Sequence, residues 1–471
     1  MDMNKENIAV GLDIGTTKIV AIIGRKNEYG KIEVLGFGKA KSLGVSRGVV
    51  NNITQTIASI KQAVTMAEEA AGVQISNVVA GIAGQHIRSI QHTDYIVRNN
   101  LEDVIEESDI DSLVDQVRKL TLLAGEEILH ILPQEFLIDG TSESKEPIGM
   151  AGLRLEAKFH VVVGQASSIR NVGRCIKEAG LNLADLTLEP LASADAVLSN
   201  DEKEAGVALI DIGGGTTDLA IFKDGIIRHT AVIPFGGNSI TEDIKEGCSI
   251  IEKQAEALKI KFGSAWPSNN RENEIVAIPS FRGQDPKEIS LRNLSLIINA
   301  RVLEIIEFVF DEIKAYGYDE QRKKLIAGIV LTGGGAELKD IKLLVEYVTG
   351  LDTRIGYPQE HLAEDAPDLI KGSTGPTYAT AVGLLMKGLE NNNISYRKAK
   401  ALEEKQYKTT LQNQVEEPSP VIESTVELEE ATDIETIENN QQGGEKIVEK
   451  PKRSFINNIV DRFKEFIDNV D

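Results

Sequence analysis

The 471-residue sequence predicts an α/β fold made of two related halves. Three observations predict it. A strand–turn–strand pattern occurs twice, about 200 residues apart, and a third glycine-rich turn lies between a strand and a helical segment. The composition is aliphatic, with 41% hydrophobic and only 5% aromatic residues, which is typical of an α/β core. The duplication implies that both halves face one shared site.

Each copy of the repeat runs from an apolar strand through a turn of Asp, Gly and Thr into a second apolar strand. Asp-x-Gly turns are also common in ordinary hairpins, so one copy alone would be weak support for a functional site. Two copies with matching flanks favour a shared function. The first copy comprises Ile8–Val10, the turn Asp13–Lys18 and Ile19–Ile23, and the second comprises Val207–Ile210, the turn Asp211–Asp218 and Leu219–Phe222.

The residue types of these turns suit a nucleoside triphosphate. Glycine permits positive φ and close approach of backbone to a ligand, and successive N–H groups in a turn form an anion site. An aspartate beside phosphate is repulsive unless a cation intervenes, so Asp13 and Asp211 predict Mg²⁺, held mainly through water. Lys18 can neutralise phosphate as a point charge. The predicted phosphate contacts are Gly15, Thr16, Thr17, Lys18, Gly213, Gly214, Gly215, Thr216 and Thr217.

The third turn, Thr332–Leu338, follows the apolar strand 328–331 and precedes a helical segment at 339–347. A glycine turn in that position is a geometry for nucleotide approach. It lacks both the G-x-G-x-x-G spacing of dinucleotide sites and the P-loop pattern. Taken alone, this turn is weak support for a nucleotide site. The predicted nucleotide contacts here are Gly333, Gly334 and Gly335, and Gly236 and Gly237 are predicted after the second copy.

Taken in order, these segments resemble the five-motif signature of the actin and heat-shock chaperone ATPase superfamily. The resemblance implies an actin-like ATPase fold of two duplicated RNase H-like domains around a nucleotide cleft that binds ATP and Mg²⁺. The matching segments are Asp13–Thr17 (phosphate 1), Leu188–Ala192 (connect 1), Asp211–Thr216 (phosphate 2), Leu331–Gly335 (adenosine) and Tyr378–Gly383 (connect 2).

Three further residues take roles from this resemblance. Glu256 and Lys259 lie in a segment similar to the helix that grips ribose and adenine in bacterial actins; their spacing also fits a solvated i,i+3 ion pair. Glu189 occupies the connect-1 position, where a polar residue orients the attacking water, and it can act as a base. The alternative is a surface glutamate before a proline. We expect Glu189 and Asp211 to support at most slow ATP hydrolysis, with a mainly cytoskeletal role.

Composition excludes several other classes of protein. The net charge of −22 argues against non-specific nucleic-acid binding. The two cysteines have no metal-site spacing and suggest a reducing compartment. The polar start Met1–Asn7 is unlike a signal peptide, and no stretch has the ~18 apolar residues needed to span a bilayer.

An extra segment between the two repeats narrows the resemblance to one branch of the superfamily. Residues 51–71 predict a helix, and a further helix is predicted at 110–122. There is no room after Ser42 for the subdomain that most actin-like proteins insert there, and an extra segment begins near Gln85 instead. That displacement resembles the FtsA family of bacterial division proteins. The predicted domains are 1–84 with 160–200 (1A), 85–159 (1C), 201–242 with 319–390 (2A), 243–318 (2B), 391–452 (linker) and 453–471 (terminal helix).

The tail has two parts. Residues 412–445 contain ten acidic residues and no Lys or Arg, which predicts a disordered, acidic linker. From Ser454 onward the apolar residues repeat on one helix face, which predicts an amphipathic helix on a membrane surface. A helix docked on its own domain or on a partner is the alternative. The predicted membrane contacts are Phe455, Ile456, Ile459, Val460, Phe463, Phe466, Ile467 and Val470.

Together, the resemblance and the tail predict a peripheral protein of the cytoplasmic face of the inner membrane, at the division site. Its expected partners are the C-terminal peptide of the tubulin-like FtsZ, further copies of itself, membrane lipid and other division proteins, but not nucleic acid. Arg301 is the candidate contact for the acidic peptide. Two alternatives remain at this point: a rod-shape-type actin filament, and a soluble ATPase, kinase or chaperone of the same superfamily.

Overall fold

The computed structural model describes residues 8–100, 103–269, 274–279, 285–371 and 375–392, all within one unit, Met1–Gln406. Its strands are β1 (Ala9–Ile14), β2 (Lys18–Lys26), β3 (Ile32–Lys41), β4 (Val45–Ser46), β5 (Val49–Val50), β6 (Asn77–Ile82), β7 (Ile87–Val97), β8 (Glu126–Ile138), β9 (Ser142–Ser144), β10 (Arg154–Gln165), β11 (Asn182–Leu188), β12 (Val207–Ile212), β13 (Thr217–Lys223), β14 (Ile226–Ile233), β15 (Ile275–Ile278), β16 (Lys287–Ser290), β17 (Ile329–Thr332) and β18 (Thr353–Ile355). Its α-helices are α1 (Ile53–Ala71), α2 (Glu107–Val117), α3 (Ala166–Glu178), α4 (Glu189–Val197), α5 (Asn200–Ala205), α6 (Gly237–Cys248), α7 (Glu252–Phe262), α8 (Leu291–Tyr316), α9 (Ile341–Thr349), α10 (Asp368–Lys371) and α11 (residues 379–392). Short 3₁₀ turns are Pro267–Asn269, Gln321–Lys323, Gly334–Glu337, Pro358–His361 and Gly375–Tyr378.

The first half is built on a five-stranded sheet in the order β11-β6-β1-β2-β3. β1 pairs antiparallel with β2 and β2 with β3, whereas β1–β6 and β6–β11 are parallel. Every residue of β1 is buried, as expected for a strand covered on both faces. Helix α1 packs on this sheet; Asn52 caps its start by accepting from the Gln55 backbone N–H, and Gly72 ends it in the left-handed region.

The second half repeats this arrangement strand for strand. Its sheet has the order β14-β13-β12-β17-β18, with the same sequence of antiparallel and parallel pairs. β12 is buried along its whole length, as β1 is in the first half. This correspondence confirms the predicted α/β fold of two related halves.

A third sheet, β7-β10-β8-β9, is formed by the chain segment that precedes α3. Helix α2 packs against it and begins three residues earlier than the sequence suggests, because Glu106 and Asp109 form a capping box. The helix ends at Val117 instead of the predicted 122. Its apolar residues Leu113 and Val117 are buried against this sheet and form a core separate from those of the two halves.

The third sheet also contacts strand β14 of the second half. Gln134 Nε2 donates to the Ile227 carbonyl at 2.8 Å, and Ser89 Oγ donates to the Thr230 carbonyl at 3.2 Å. The ring nitrogens of buried His160 lie 3.0 Å from Thr230 Oγ1 and 3.1 Å from Gln91 Nε2. Burial lowers the pKa of His160 to about 4, so the ring is neutral in this interface. The inserted sheet therefore bridges the two halves.

The helices α4 and α11 cross at Gly383. A Cβ added to Gly383 would lie 1.8 Å from the Ala192 carbonyl oxygen, so the backbones touch there and only glycine fits. The crossing joins the connect-1 segment to the connect-2 segment. The two halves are therefore in direct backbone contact at this crossing.

We expect Gly383→Ala to lower the free energy of unfolding by about 1–3 kcal/mol, because the new methyl group must push the helices apart. Urea denaturation of the full chain measures this. The matched control is Gly173→Ala in α3, where an added Cβ meets no atom within 4 Å; it should be neutral or stabilising by up to about 1 kcal/mol. A Gly383→Ala protein as stable as wild type would contradict the close crossing.

Within the described residues, no helix combines the length and the apolarity that crossing a membrane would require.

Candidate nucleotide site

The first turn of the repeat is fastened to the loop that precedes α1. Asp13, near the end of β1, is buried. Beyond it, Thr16 Oγ1 accepts from the Gly48 N–H at 3.1 Å, and the Thr17 carbonyl accepts from the Ser42 N–H at 3.1 Å. The turn is therefore positioned by β1 on one side and by the β3–α1 connection on the other.

The second turn is held by the two crossing helices. Asp211, near the end of β12, accepts hydrogen bonds from Ser193 Oγ in α4 at 2.6 Å and from Thr380 Oγ1 in α11 at 3.2 Å. The two hydroxyl groups also lie 2.9 Å apart. Because each helix supplies one donor, the orientation of the Asp211 carboxylate depends on the crossing.

Asp218 lies directly opposite Asp211 across the β12–β13 hairpin. Its Oδ2 accepts from Thr216 Oγ1 at 3.1 Å, whereas its buried Oδ1 has no hydrogen-bond partner among the described residues. Burial and the neighbouring Asp211 charge raise the pKa of Asp218 to about 8. An unsatisfied buried carboxylate oxygen is costly, and a cation or its bound water can satisfy it.

Four carboxyl groups share this region. Burial raises the pKa of Asp13 to about 6, and it also raises the pKa of Asp211. Burial, followed by the charges of Asp13, Asp218 and Asp211, raises the pKa of Glu189 well above its usual range. Lys18 opposes these shifts at Asp13, Glu189 and Asp211.

This donor set fits a Mg²⁺ ion held largely through water and phosphate. Four acidic groups face one lysine, so a divalent cation would relieve their repulsion. Among the described residues, no three acidic, histidine or cysteine side chains are grouped so as to hold an ion by themselves. Asp13 and Asp211 are the residues that would hold the hydrated ion, which would neutralise developing phosphate charge when bound.

The two phosphate turns touch each other. A Cβ on Gly214 would lie 2.3 Å from Thr17 Cγ2, and one on Gly215 would lie 2.6 Å from Thr16 Oγ1. Glycine is required at both positions because any side chain would separate the turns. The structure thus brings together the predicted phosphate contacts of both halves.

The second turn continues into the start of helix α6. The Gly237 N–H donates to the Gly213 carbonyl at 2.9 Å, and Thr217 Oγ1 donates to the Phe235 carbonyl at 2.9 Å. A Cβ on Gly236 would lie 2.6 Å from the Gly213 carbonyl oxygen. The glycines after β14 therefore pack directly on the phosphate-2 turn.

Glu256 and Lys259 lie on the face of α7 that meets this glycine pair. Lys259 Nζ donates to the Gly237 carbonyl and to Thr241 Oγ1, both at 2.8 Å, and pairs with Glu256 at 2.7 Å. Thr241 Oγ1 also donates to Glu256. The lysine side chain is 14% exposed and the glutamate side chain 42% exposed, so the pair is buried at its lysine end and open to solvent at its glutamate end.

The third turn packs on the second. Gly333 has φ +80°, and a Cβ there would lie 2.3 Å from Asp211 Oδ1. A Cβ on Gly335 would lie 2.2 Å from Ile212 Cγ2, whereas one on Gly334 would meet only Thr377 Oγ1, at 3.4 Å. The structure therefore places the adenosine turn beside the phosphate-2 turn.

Sequence reasoning missed several residues of the site. Asp218 stands in the second repeat where Lys18 stands in the first, and that charge reversal was a readable signal. Ser193 directly follows the connect-1 motif and Thr380 lies inside the connect-2 motif, but neither residue carries a signal of its own. Tyr378 was also missed: Lys18 Nζ lies 5.8 Å from the centre of its ring, and Lys39 donates to its hydroxyl at 3.1 Å.

Glu189, the candidate base, is the first residue of α4. It packs against Gly81 of β6, where an added Cβ would lie 3.1 Å from Glu189 Oε1. The structure thus brings Glu189 to the carboxylate cluster, where its side chain is partly buried.

A cavity of about 290 Å³ adjoins the phosphate turns. Arg301 lies on its wall, where its guanidinium bonds Asp243 Oδ2 at 2.5 Å and Oδ1 at 2.9 Å, pairs with Glu304 and faces the Phe235 ring at 5.6 Å. Its charge is therefore matched by two carboxylates. The cavity is lined by Thr16, Ser46, Arg47, Gly214, Gly215, Phe235, Asn238, Ser239, Glu242, Asp243 and Arg301.

The predicted membrane contacts, Phe455 to Val470, and the predicted acidic linker, from residue 393 onward, lie outside the described residues.

Comparison with known proteins points to one family over most of the chain. Residues 208–383 match the family model "Cell division protein FtsA", and residues 84–163 match the model of the SHS2 domain inserted in FtsA. The cell division protein FtsA of Pseudomonas aeruginosa is 39% identical over 384 residues, which cover 82% of this chain and 90% of that protein. The Escherichia coli K12 protein of the same name is 34% identical over 389 residues, covering 82% and 91%.

Among solved structures, the PilM-PilN type IV pilus biogenesis complex aligns with a TM-score of 0.59 and 16% identity, covering 81% of this chain and 98% of the aligned chain. At that identity, the likeness shows a common fold alone. It agrees with the duplicated sheets described above.

Proposed function

The chain belongs to the FtsA family of bacterial cell division proteins, and on that premise we propose that it binds Mg-ATP in its cleft, assembles into filaments and attaches the FtsZ ring to the membrane. The protein is then peripheral, on the cytoplasmic face of the inner membrane at the division site. The observation that carries the nucleotide part is the contact between the two glycine turns beside three buried carboxyl groups, the partly buried Glu189 and Lys18.

The chain's own residues have distinct tasks in this proposal. The N–H groups of the turns at Gly15 and Gly213–Gly215 bind phosphate oxygens, and Lys18 neutralises one of them. Asp13 and Asp211 orient the hydrated Mg²⁺. Glu256 and Lys259 contact the ribose and base, beside Gly237. The Gly333–Gly335 turn lets the nucleotide approach the backbone closely.

Hydrolysis, where it occurs, relies on Glu189. Burial and the neighbouring carboxylates raise the pKa of Glu189 in the empty site. A base needs the deprotonated form, which the charge of a bound cation would favour. The close packing of Gly81 fixes the position of the Glu189 side chain. We expect slow turnover, because the main role of the nucleotide is to hold the cleft and the contacts between copies in one state.

The domain boundaries form part of the proposal. Core domain 1A takes residues 1–84 and 160–200, with subdomain 1C at 85–159; core domain 2A takes 201–242 and 319–390, with subdomain 2B at 243–318. An acidic linker, 391–452, leads to the membrane helix, 453–471. The separate sheet β7-β10-β8-β9 supports the first insertion.

Purified protein tested on vesicles containing anionic lipid checks the whole proposal. We expect filaments on the vesicles with Mg-ATP, recruitment of FtsZ to them, and neither event without residues 453–471. Filament assembly that is independent of nucleotide would contradict the proposed role of Mg-ATP. Equal sedimentation of the truncated chain would contradict membrane attachment.

For the FtsZ contact, we expect Arg301→Glu to weaken binding of the FtsZ C-terminal peptide by at least about tenfold. An acidic peptide must compete with Asp243 for the guanidinium, and a glutamate there would repel both carboxylates. Fluorescence anisotropy with labelled peptide measures the affinity. The matched control is Lys314→Glu, on the same helix and paired with Asp311 at 3.0 Å. If the two variants change the peptide affinity equally, or if neither changes it, Arg301 is not part of the contact with the FtsZ peptide.

A further inference from the structure

Arg47 occupies a turn that disfavours arginine. It lies between the short strands β4 and β5 with φ +50°, and Gly48 follows with φ +73°. Positive φ at both central residues is the requirement of a type I′ turn, in which Asn, Asp and Gly are the preferred residues. Arginine pays a steric cost in the left-handed region that Asn and Gly largely avoid. Local conformation therefore gives no reason for an arginine here.

This turn lies against both phosphate turns. Gly48 donates its N–H to Thr16 Oγ1 of the first turn at 3.1 Å. A Cβ on Gly215 of the second turn would lie 2.9 Å from Arg47 Cα and 3.0 Å from its backbone nitrogen. The backbone of Arg47 is thus fixed where the two halves of the cleft meet.

Charge distinguishes Arg47 from its neighbours in the cavity. Arg301 is paired with Asp243 and Glu304, and Glu242 is paired with Lys245 at 2.5 Å. Arg47 is exposed, and its guanidinium has no ion pair or hydrogen bond with any of the described residues. Its positive charge is therefore available to a ligand in the cavity.

We propose that Arg47 binds the terminal phosphate of a nucleoside triphosphate and makes the site prefer a triphosphate to a diphosphate. The proposal rests on the nucleotide function proposed above. A guanidinium offers a planar pair of donors that matches two phosphate oxygens, and such charge-assisted bonds are among the strongest in proteins. A diphosphate lacks the group that Arg47 would bind. Arg47 therefore contributes to the affinity for a triphosphate and not to the affinity for a diphosphate.

Isothermal titration calorimetry of the full chain with Mg²⁺ and either ADP or a non-hydrolysable ATP analogue tests this. Arg47→Asn removes the charge and suits the turn, so it should fold at least as well as wild type. We expect it to bind the analogue at least about tenfold more weakly and ADP within about twofold of wild type. Arg47→Lys keeps the charge without the paired donors, so its affinity for the ATP analogue should lie between those of wild type and Arg47→Asn.

The matched control is Arg174→Ala, an exposed arginine on α3 paired with Glu178 at 2.6 Å, which should change neither affinity. If Arg47→Asn leaves the ratio of the two affinities unchanged, whether both fall or neither does, the proposed role of Arg47 is wrong. That result would leave the proposed nucleotide function standing. A wild-type chain that binds neither nucleotide overturns the proposed nucleotide function itself.

Discussion

Asp211→Asn should abolish most Mg-dependent ATP binding and leave the nucleotide-free protein as stable as wild type, or more stable. The wild-type carboxylate is buried, and its charge raises the pKa of both Asp13 and Asp218. Removing that charge relieves the repulsion in the empty site. The amide oxygen of asparagine still accepts from Ser193 and Thr380, so the packing of the crossing helices is retained.

Binding should respond in the opposite direction. Loss of one carboxylate that orients the hydrated ion should weaken Mg-ATP affinity by roughly 10–100-fold, the effect of one or two charge-assisted hydrogen bonds. Calorimetry measures the affinity, and thermal unfolding with and without Mg-ATP measures the linked stabilisation. Opposite signs for stability and binding would identify Asp211 as a functional residue, since a purely structural carboxylate would lose stability when replaced.

The control for this prediction is Asp195→Asn, which removes a carboxylate from the same helix as Ser193. Asp195 pairs with Lys203 at 2.7 Å and is partly exposed. We expect no change in Mg-ATP affinity from this variant. If Asp211→Asn bound Mg-ATP as tightly as wild type, the metal role of Asp211 would be wrong.

The second large effect is expected in the tail, where Phe463→Asp should reduce binding to anionic vesicles by at least about tenfold. Phe463 lies near the middle of the apolar face predicted for residues 453–471. The substitution removes one large apolar contact and adds a negative charge that lipid repels. Sedimentation with vesicles of stated anionic content measures the bound fraction.

Asn458→Asp provides the matched control because it changes the net charge by the same amount on the polar side of the predicted helix. It should retain most of the binding if insertion of the apolar face, rather than electrostatic attraction, drives attachment. Equal losses from both variants would favour a purely electrostatic anchor. No loss from either would contradict the membrane helix.

Much of the fold was readable from local patterns. The paired Asp-Gly-Thr turns, the glycine turn after β17 and the capped helix α1 are all set by short-range requirements on φ and by apolar periodicity. Boundaries were less accurate where a capping box moved the start of a helix, as Glu106 and Asp109 do for α2. The site residues in the recurring motifs of the superfamily could also be predicted from the sequence, because their residue types and their order along the chain carry the signal.

What the sequence determined by itself is the duplicated strand–turn–strand unit, the five ordered motifs and the amphipathic pattern of the tail. Each single turn, motif or helical repeat is read from neighbouring residues, and the duplication and the order of the motifs are read from their positions along the chain. Only the tertiary structure decided that Ser193 and Thr380 hold Asp211, that Asp218 is buried without a partner for Oδ1, and that Arg47 reaches the meeting point of the two phosphate turns. These contacts join segments that are distant in the chain, and they arise because Gly383 lets α4 and α11 cross closely and Gly214 and Gly215 let the two turns touch. Local propensity specifies each turn, but the approach of the two turns depends on packing between distant elements, which has no local signature.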